Sequence, residues 1–133
     1  MPKRSIPLPG GTLEYAVLVA LWDLGRATTR QIHERVGIPG GLVYTTTAKV
    51  LDRLHTKGLV SREQAGRVLS YRPKIAREVV ERARARYALN QILGLDATPA
   101  IAALVDTVES IDPRLLDELG RAVAARRRSR HGS

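Results

Sequence analysis

Cysteine is absent from this 133-residue chain, which excludes disulfides, zinc–thiolate sites and thiol chemistry. Also missing is any apolar run that approaches the length of a membrane span. The opening stretch MPKRSIPLPGG carries two basic residues, but prolines rather than a long apolar segment follow them. It does not read as a signal peptide, and a cytoplasmic protein is expected. There is no glycine-rich phosphate loop: PGG occurs twice, and neither copy follows a strand pattern. The histidines are His33, His55 and His131 only, and none has an acidic or nucleophilic partner at a telling spacing. Asp117 and Glu118 read as a solvated face rather than a carboxylate pair. These gaps argue against an enzyme and imply no cofactor and no metal. Acids are also scarce, 13 Asp and Glu against 22 Lys and Arg, for a net charge of +9. An excess of that sign favours a polyanionic partner, most simply nucleic acid.

What is present suffices for a packed fold. Hydrophobic residues make up 44% of the chain, and the length allows one ordinary domain or two small ones. Leu13, Val17, Leu21 and Leu24 recur at helical spacing and predict a first helix, capped by Thr12 and stopped at Gly25. Trp22 beside that face reads as packing. Thr28 and Gln31 have capping-box spacing and open a short second helix. Ile32 and Val36 point inward along it, and Gly37 ends it. After the breaker IPGG, a third helix is expected over about Leu42 to Lys57, closed by Gly58. Its apolar side is Thr47, Val50, Leu51 and Leu54.

The period then shortens. LVSREQAGRVLSYRP predicts two short strands around a turn near Ala65–Gly66, with Leu69 and Tyr71 on one face and Pro73 as the stop. Two helices joined by a short glycine-bearing turn, with a hairpin after the third helix, describe a winged helix-turn-helix. The rest reads as helical. A long helix is expected from about Ile75 to Leu93. Thr98 and Pro99 predict the start of another, carrying Ile101, Leu104, Val105 and Val108. Asp112 and Pro113 predict the last, carrying Leu115, Leu116, Leu119 and Val123. The segment from Arg126 to Arg130 reads as a solvated, disordered basic tail.

The third helix opens on Thr45, Thr46 and Thr47, three poor helix formers. A helix that enters a major groove needs hydroxyls in its first turns, because they donate and accept hydrogen bonds and their methyls contact thymine. Thr45, Lys49 and Arg53 share one side, with Thr46 beside them. Thr47 lines up with the apolar residues and supports the core. Tyr44 either stacks on the DNA backbone or closes the end of the core.

The stretches LEYAVLVALWDLGRATTRQIHERV, YTTTAKVLDRLHTKGLV and GRVLSYRP resemble the penicillinase-repressor (BlaI/MecI/CopY) family of bacterial transcriptional regulators. The resemblance is continuous from Leu13 to Pro73 and weaker through ALVDTVESIDPRLLDELGRAV. It implies a mainly α protein, with a winged helix-turn-helix DNA-binding domain and a C-terminal helical dimerisation domain. It also implies a homodimeric repressor on an inverted-repeat operator. Residues 1–10 would then be a flexible segment, 11–73 the DNA-binding domain, 74–125 the dimerisation domain and 126–133 the tail. Tyr44, Thr45, Thr46, Lys49 and Arg53 fall on the recognition helix and Arg67 at the wing. Ile101, Leu104, Val105, Val108, Leu115, Leu116, Leu119 and Val123 fall on the dimer helices.

Three departures from the family pattern stand out. Lys49 occupies a position where relatives often carry a second recognition threonine. The cysteines of the copper-responsive branch are absent. The bond matching the cleavage site of the antibiotic-responsive branch is Asp106–Thr107, where relatives have phenylalanine and this chain has none anywhere. Two alternative readings are a winged-helix regulator controlled by a small molecule and a winged-helix protein-interaction module. An apolar or acidic recognition face would favour the latter.

Overall fold

The computed structural model describes residues 11–94 and 96–132. Helix α1 spans Thr12–Leu24, with Gly11 as its N-cap and Thr12 already inside it, so the cap lies one residue earlier than the sequence predicts. Val17, Leu18, Ala20 and Leu21 are buried along it. Leu24, expected on the same face, is 42% exposed in the last turn.

A two-residue strand, β1 (Ala27–Thr28), follows. Helix α2 (Thr29–Ile32) begins on the reciprocal cap between Thr28 and Gln31. It continues as a wider, π-type turn over His33–Gly37. Helix α3 runs Tyr44–Thr56 with Val43 as its N-cap, two residues later than predicted. Its buried residues are Thr47, Val50, Leu51 and Leu54, the four that the spacing selects.

Strands β2 (Val60–Ala65) and β3 (Val68–Pro73) form the wing. Gly66 in the turn has φ 64°, a left-handed conformation that costs a side chain with a Cβ about 1–2 kcal/mol. The sheet order is β1-β3-β2, all antiparallel, so β1 ties the wing to the helix-turn-helix through Ala27↔Tyr71 and Thr28↔Ser70. Helix α4 spans Arg77–Leu93 rather than starting at Ile75.

The chain divides into two compact units, one reaching Ala85 and one from Arg86 onward. The division falls inside α4, later than the Pro73 boundary read from the sequence. The first part of α4 belongs to the winged unit: Val80 is buried there, Tyr15 donates to Glu81, and Arg84 lies over the Tyr15 ring. The core of the winged unit joins Val17, Leu18 and Leu21 of α1 with Ile32, the α3 triad of Val50, Leu51 and Leu54, and Leu59, Val60 and Tyr71. Each such side chain contributes about 1.5–3 kcal/mol by leaving water.

The second unit carries α5 (Ala97–Ile111) and α6 (Pro113–His131), which pack on each other. The N-cap of α5 is Asp96, so Thr98 and Pro99 lie within the first turn rather than at its start. Asp112 caps α6 as expected: its carboxylate accepts from the Arg114 backbone N–H at 3.0 Å, with Pro113 in the first turn. The segment Arg126–Arg130, predicted as a disordered tail, is helical within α6. Alanine and arginine are both strong helix formers, and a basic last turn suits the negative end of a helix.

Candidate nucleic-acid interface

The first turn of α3 has no side-chain cap, since Val43 carries no acceptor. The backbone N–H groups of that turn therefore form an electropositive end. Tyr44 and Thr45 are exposed there, Thr46 is half-buried, and Thr47 is buried. Successive residues turn by about 100°, so Thr45, Lys49, Asp52 and Thr56 form one narrow outward strip. All four are exposed.

The approach to this helix is held by a small polar lock. Nδ1 of His33 lies 2.8 Å from Thr47 Oγ1, and the His33 ring meets the Tyr44 ring edge-on with centroids 5.3 Å apart. Gly37 stands against both partners, and a Cβ there would collide with His33 Nδ1 and Thr47 Oγ1. The wide turn at His33–Gly37 thus brings the imidazole under α3, and only glycine leaves it room. Tyr44 is seated against His33 and still half exposed.

Arg53 is partly committed elsewhere. Its Nε lies 3.7 Å from Glu14 Oε2, and Lys57 Nζ lies 2.8 Å from Glu14 Oε1. Glu14 is a nearly buried acid on α1, and a buried carboxylate is tolerated only when paired. Arg53 thereby leans toward α1, away from the centre of the outward strip, although its side chain remains 58% exposed.

The wing is joined to the same helix by an ion pair. Arg62 of β2 donates to Asp52 Oδ1 at 3.1 Å. The hydrogen bonds that the Arg62 guanidinium donates to Tyr71 and Asp52 raise its pKa above the ordinary value. Asp52 would otherwise place a lone negative charge in the middle of the strip, and Arg62 neutralises it. At the hairpin tip Arg67 is exposed, and Gln64 Nε2 closes the turn on Gly66 O at 3.1 Å. Among the described residues, neither Lys49 nor Arg67 is engaged by an acid.

A polar, basic helix face beside a basic hairpin tip is the geometry of a winged helix-turn-helix that meets DNA. The family model described as penicillinase repressor matches residues 10–125. The chain belongs to that family. It is 36% identical over 115 residues to the transcriptional regulator BlaI of Mycobacterium tuberculosis, in strains CDC 1551 / Oshkosh and H37Rv alike. The match covers 86% of this chain and 82% of each relative. A solution structure of the DNA-binding domain of the repressor BlaI is similar at 24% identity and a TM-score of 0.48, over 53% of this chain and 88% of its own. This penicillinase-repressor family member is a DNA-binding transcriptional repressor and not an enzyme.

The fold brings Tyr44, Thr45, Thr46 and Lys49 together on the exposed start of α3, with Arg53 at one side. Sequence reasoning missed Asp52, although it stands three residues after Lys49 and seven after Thr45 on the same strip. It also missed Arg62, whose partner is ten residues away and follows only from the register of β2 on α3. For His33 the sequence shows only that no acidic or nucleophilic partner stands at a telling spacing. The His33 contact with Thr47 depends on the π-type turn, for which the sequence carries no signal.

Proposed function

We propose that the repressor binds an inverted-repeat operator as a homodimer. Helix α3 enters the major groove, Thr45, Thr46 and Lys49 read base edges, and Tyr44 packs on the sugar-phosphate backbone. Arg53, tied to Glu14, serves the flanking phosphate more than a base. Arg67 at the wing tip reaches the backbone or the minor groove. The observation that carries this reading is the start of α3, which lacks a side-chain cap and leaves Tyr44, Thr45 and Lys49 exposed, with no acid among the described residues engaging Lys49.

The dimer rests on the second unit. No residue of α5 or α6 is buried. Leu104, Val108, Leu116 and Leu119 are half-buried where the two helices meet. Ile101 is 53% exposed and Val123 46%, and Val105 and Leu115 are also open to water. A pair of helices that packs only on itself leaves the outer half of each apolar stripe uncovered. A second copy supplies the missing surface, and a two-fold axis is the commonest way to do so. Two-fold symmetry in the protein then demands dyad symmetry in the operator. Such a protein works in the cytoplasm, where bacterial DNA lies. Among the described residues, no helix is long and apolar enough to cross a membrane.

Selection of bound genomic fragments followed by footprinting tests the proposal. Two protected half-sites related by a dyad, one helical turn or a multiple apart, are expected. Protection of a single asymmetric site would overturn the dimeric reading.

A further inference from the structure

The basic end of α6 is not accounted for by the winged unit or by the apolar stripes. We propose that Arg126, Arg127, Arg128 and Arg130 form a second DNA contact, a helical arm that grips phosphates without reading sequence. The proposal rests on the DNA-binding function and extends it to a different part of the chain.

Charge is segregated along the second unit. From Asp96 to Glu118 there are six acids, with Arg114 the one base. From Arg121 to Gly132 there is no acid at all. The nearest acid along the helix, Glu118, precedes Arg126 by eight residues, or about 12 Å of rise. That exceeds the screening length of roughly 8 Å at physiological salt. In the winged unit Arg26, Arg30, Arg35, Arg53 and Arg62 each have an acidic partner, while among the described residues Arg67, Arg72 and Arg82 stand without one. Among the described residues, none of the four α6 arginines has one.

The helix also changes character along a single line. Arg126 and Arg130 stand seven residues after Leu119 and Val123, hence within about 20° of them around the axis. The azimuth that presents leucine and valine in the middle of α6 presents arginine at its end. Arginine there ends the apolar packing surface, and the residues from Ala125 to Gly132 are exposed. Arg126 and Arg130 are like charges one turn apart, as are Arg127 and Arg130, an arrangement that destabilises a free helix. A polyanion relieves that repulsion. Double-stranded DNA offers about one charge per 1.7 Å, a density that a helix end with four guanidinium groups complements. The remaining candidate, acids on a second copy of the chain, would place all four cations inside an interface, where charge is depleted.

The test uses the full chain and a duplex of mixed sequence, with binding followed by anisotropy across a potassium chloride series. Replacing the four arginines by glutamine keeps helix propensity and removes charge. The slope of log affinity against log salt should become shallower by about two to four for one engaged arm, and by up to about seven for a dimer with both arms engaged. Loss of affinity should be equal for mixed-sequence and operator DNA, and the four-lysine variant should retain the original slope. An unchanged slope in the glutamine variant overturns the proposal. So does a glutamine variant that becomes monomeric in sedimentation equilibrium, since the arginines then pair with the second copy. If the unmodified chain binds no duplex at any salt, the DNA-binding function itself is at fault rather than the arm.

Discussion

His33 Nδ1 lies 2.8 Å from the buried hydroxyl of Thr47, fourteen residues along the chain. This contact crosses from the turn at the end of α2 to α3, and Gly37 leaves the space for it. His33→Ala leaves the Thr47 hydroxyl without that partner and should cost about 1–3 kcal/mol. Gly37→Ala forces a methyl into the same space and should cost a similar amount by overpacking. Urea denaturation of the single variants and of His33→Ala with Thr47→Val checks this. The double variant should be less destabilised than the sum of the two singles. Strict additivity would show that the contact contributes nothing.

Lys49 and Arg53 differ in freedom. Lys49→Ala should weaken operator binding by about 1–3 kcal/mol and relax preference at one base position. Arg53→Ala should cost less, because its guanidinium is shared with Glu14. Titrations against a panel of single-base operator variants would separate the two. A larger loss at Arg53 than at Lys49 would reverse the assignment of the reading face.

The wing tip should act without regard to sequence. Arg67→Glu is expected to weaken specific and mixed-sequence binding by the same factor while circular dichroism stays native. A loss confined to one operator position would contradict a phosphate contact.

The proposed dimer depends on α5 and α6. Ile101→Asp combined with Val123→Asp places charge on the uncovered apolar face and should yield monomers with sharply weaker operator binding. The loss should approach the roughly 10²–10⁴-fold that linkage of two half-site contacts provides. Sedimentation equilibrium of both forms decides it. An unmodified chain that is monomeric at micromolar concentration yet binds tightly would sink the model.

Asp112 predicts an acid-sensitive cap. Its carboxyl is held below the ordinary value of 3.8, first by the Arg114 side chain and then by the Arg114 backbone N–H. A depressed folded-state pKa contributes stability above the unfolded value, and this is lost as pH falls through the folded value. Stability should therefore decline below about pH 4 with a component that Asp112→Asn removes. An NMR titration of the Asp112 carboxyl at or above 3.8 would contradict this cap.

Much of this molecule is legible in the residues. The burial of Thr47, Val50, Leu51 and Leu54 follows from helical spacing alone, and the Thr28–Gln31 cap follows from one short motif. What escaped notice has a common cause: it depends on contacts between elements. The strand Ala27–Thr28 is too short to show a period and exists because β3 is there to pair with it. Glu14 looks like an ordinary first-turn acid, and only the approach of α3 makes it a buried counter-ion for Lys57 and Arg53. The arginines of α6 look like a loose tail because charge runs usually are one, yet alanines before them carry the helix to His131. The exposed residues on α3 show in the sequence as a polar strip, but the acid in the middle of that strip acquires its meaning only from Arg62 on the wing.

Trp22 gives the molecule a built-in optical probe. It is the one tryptophan in the chain, and its Nε1 donates to the Ile75 carbonyl at 3.0 Å, with the Arg77 guanidinium 5.7 Å from the ring centroid. Its emission reports on the seam between α1 and the approach to α4. The second unit, which has Tyr87 and no tryptophan, is nearly dark at the same wavelengths. Fluorescence therefore watches the winged unit, whereas far-ultraviolet dichroism sums the helices of both units. A gap between their melting curves would time the loss of the winged unit against that of the helices beyond it.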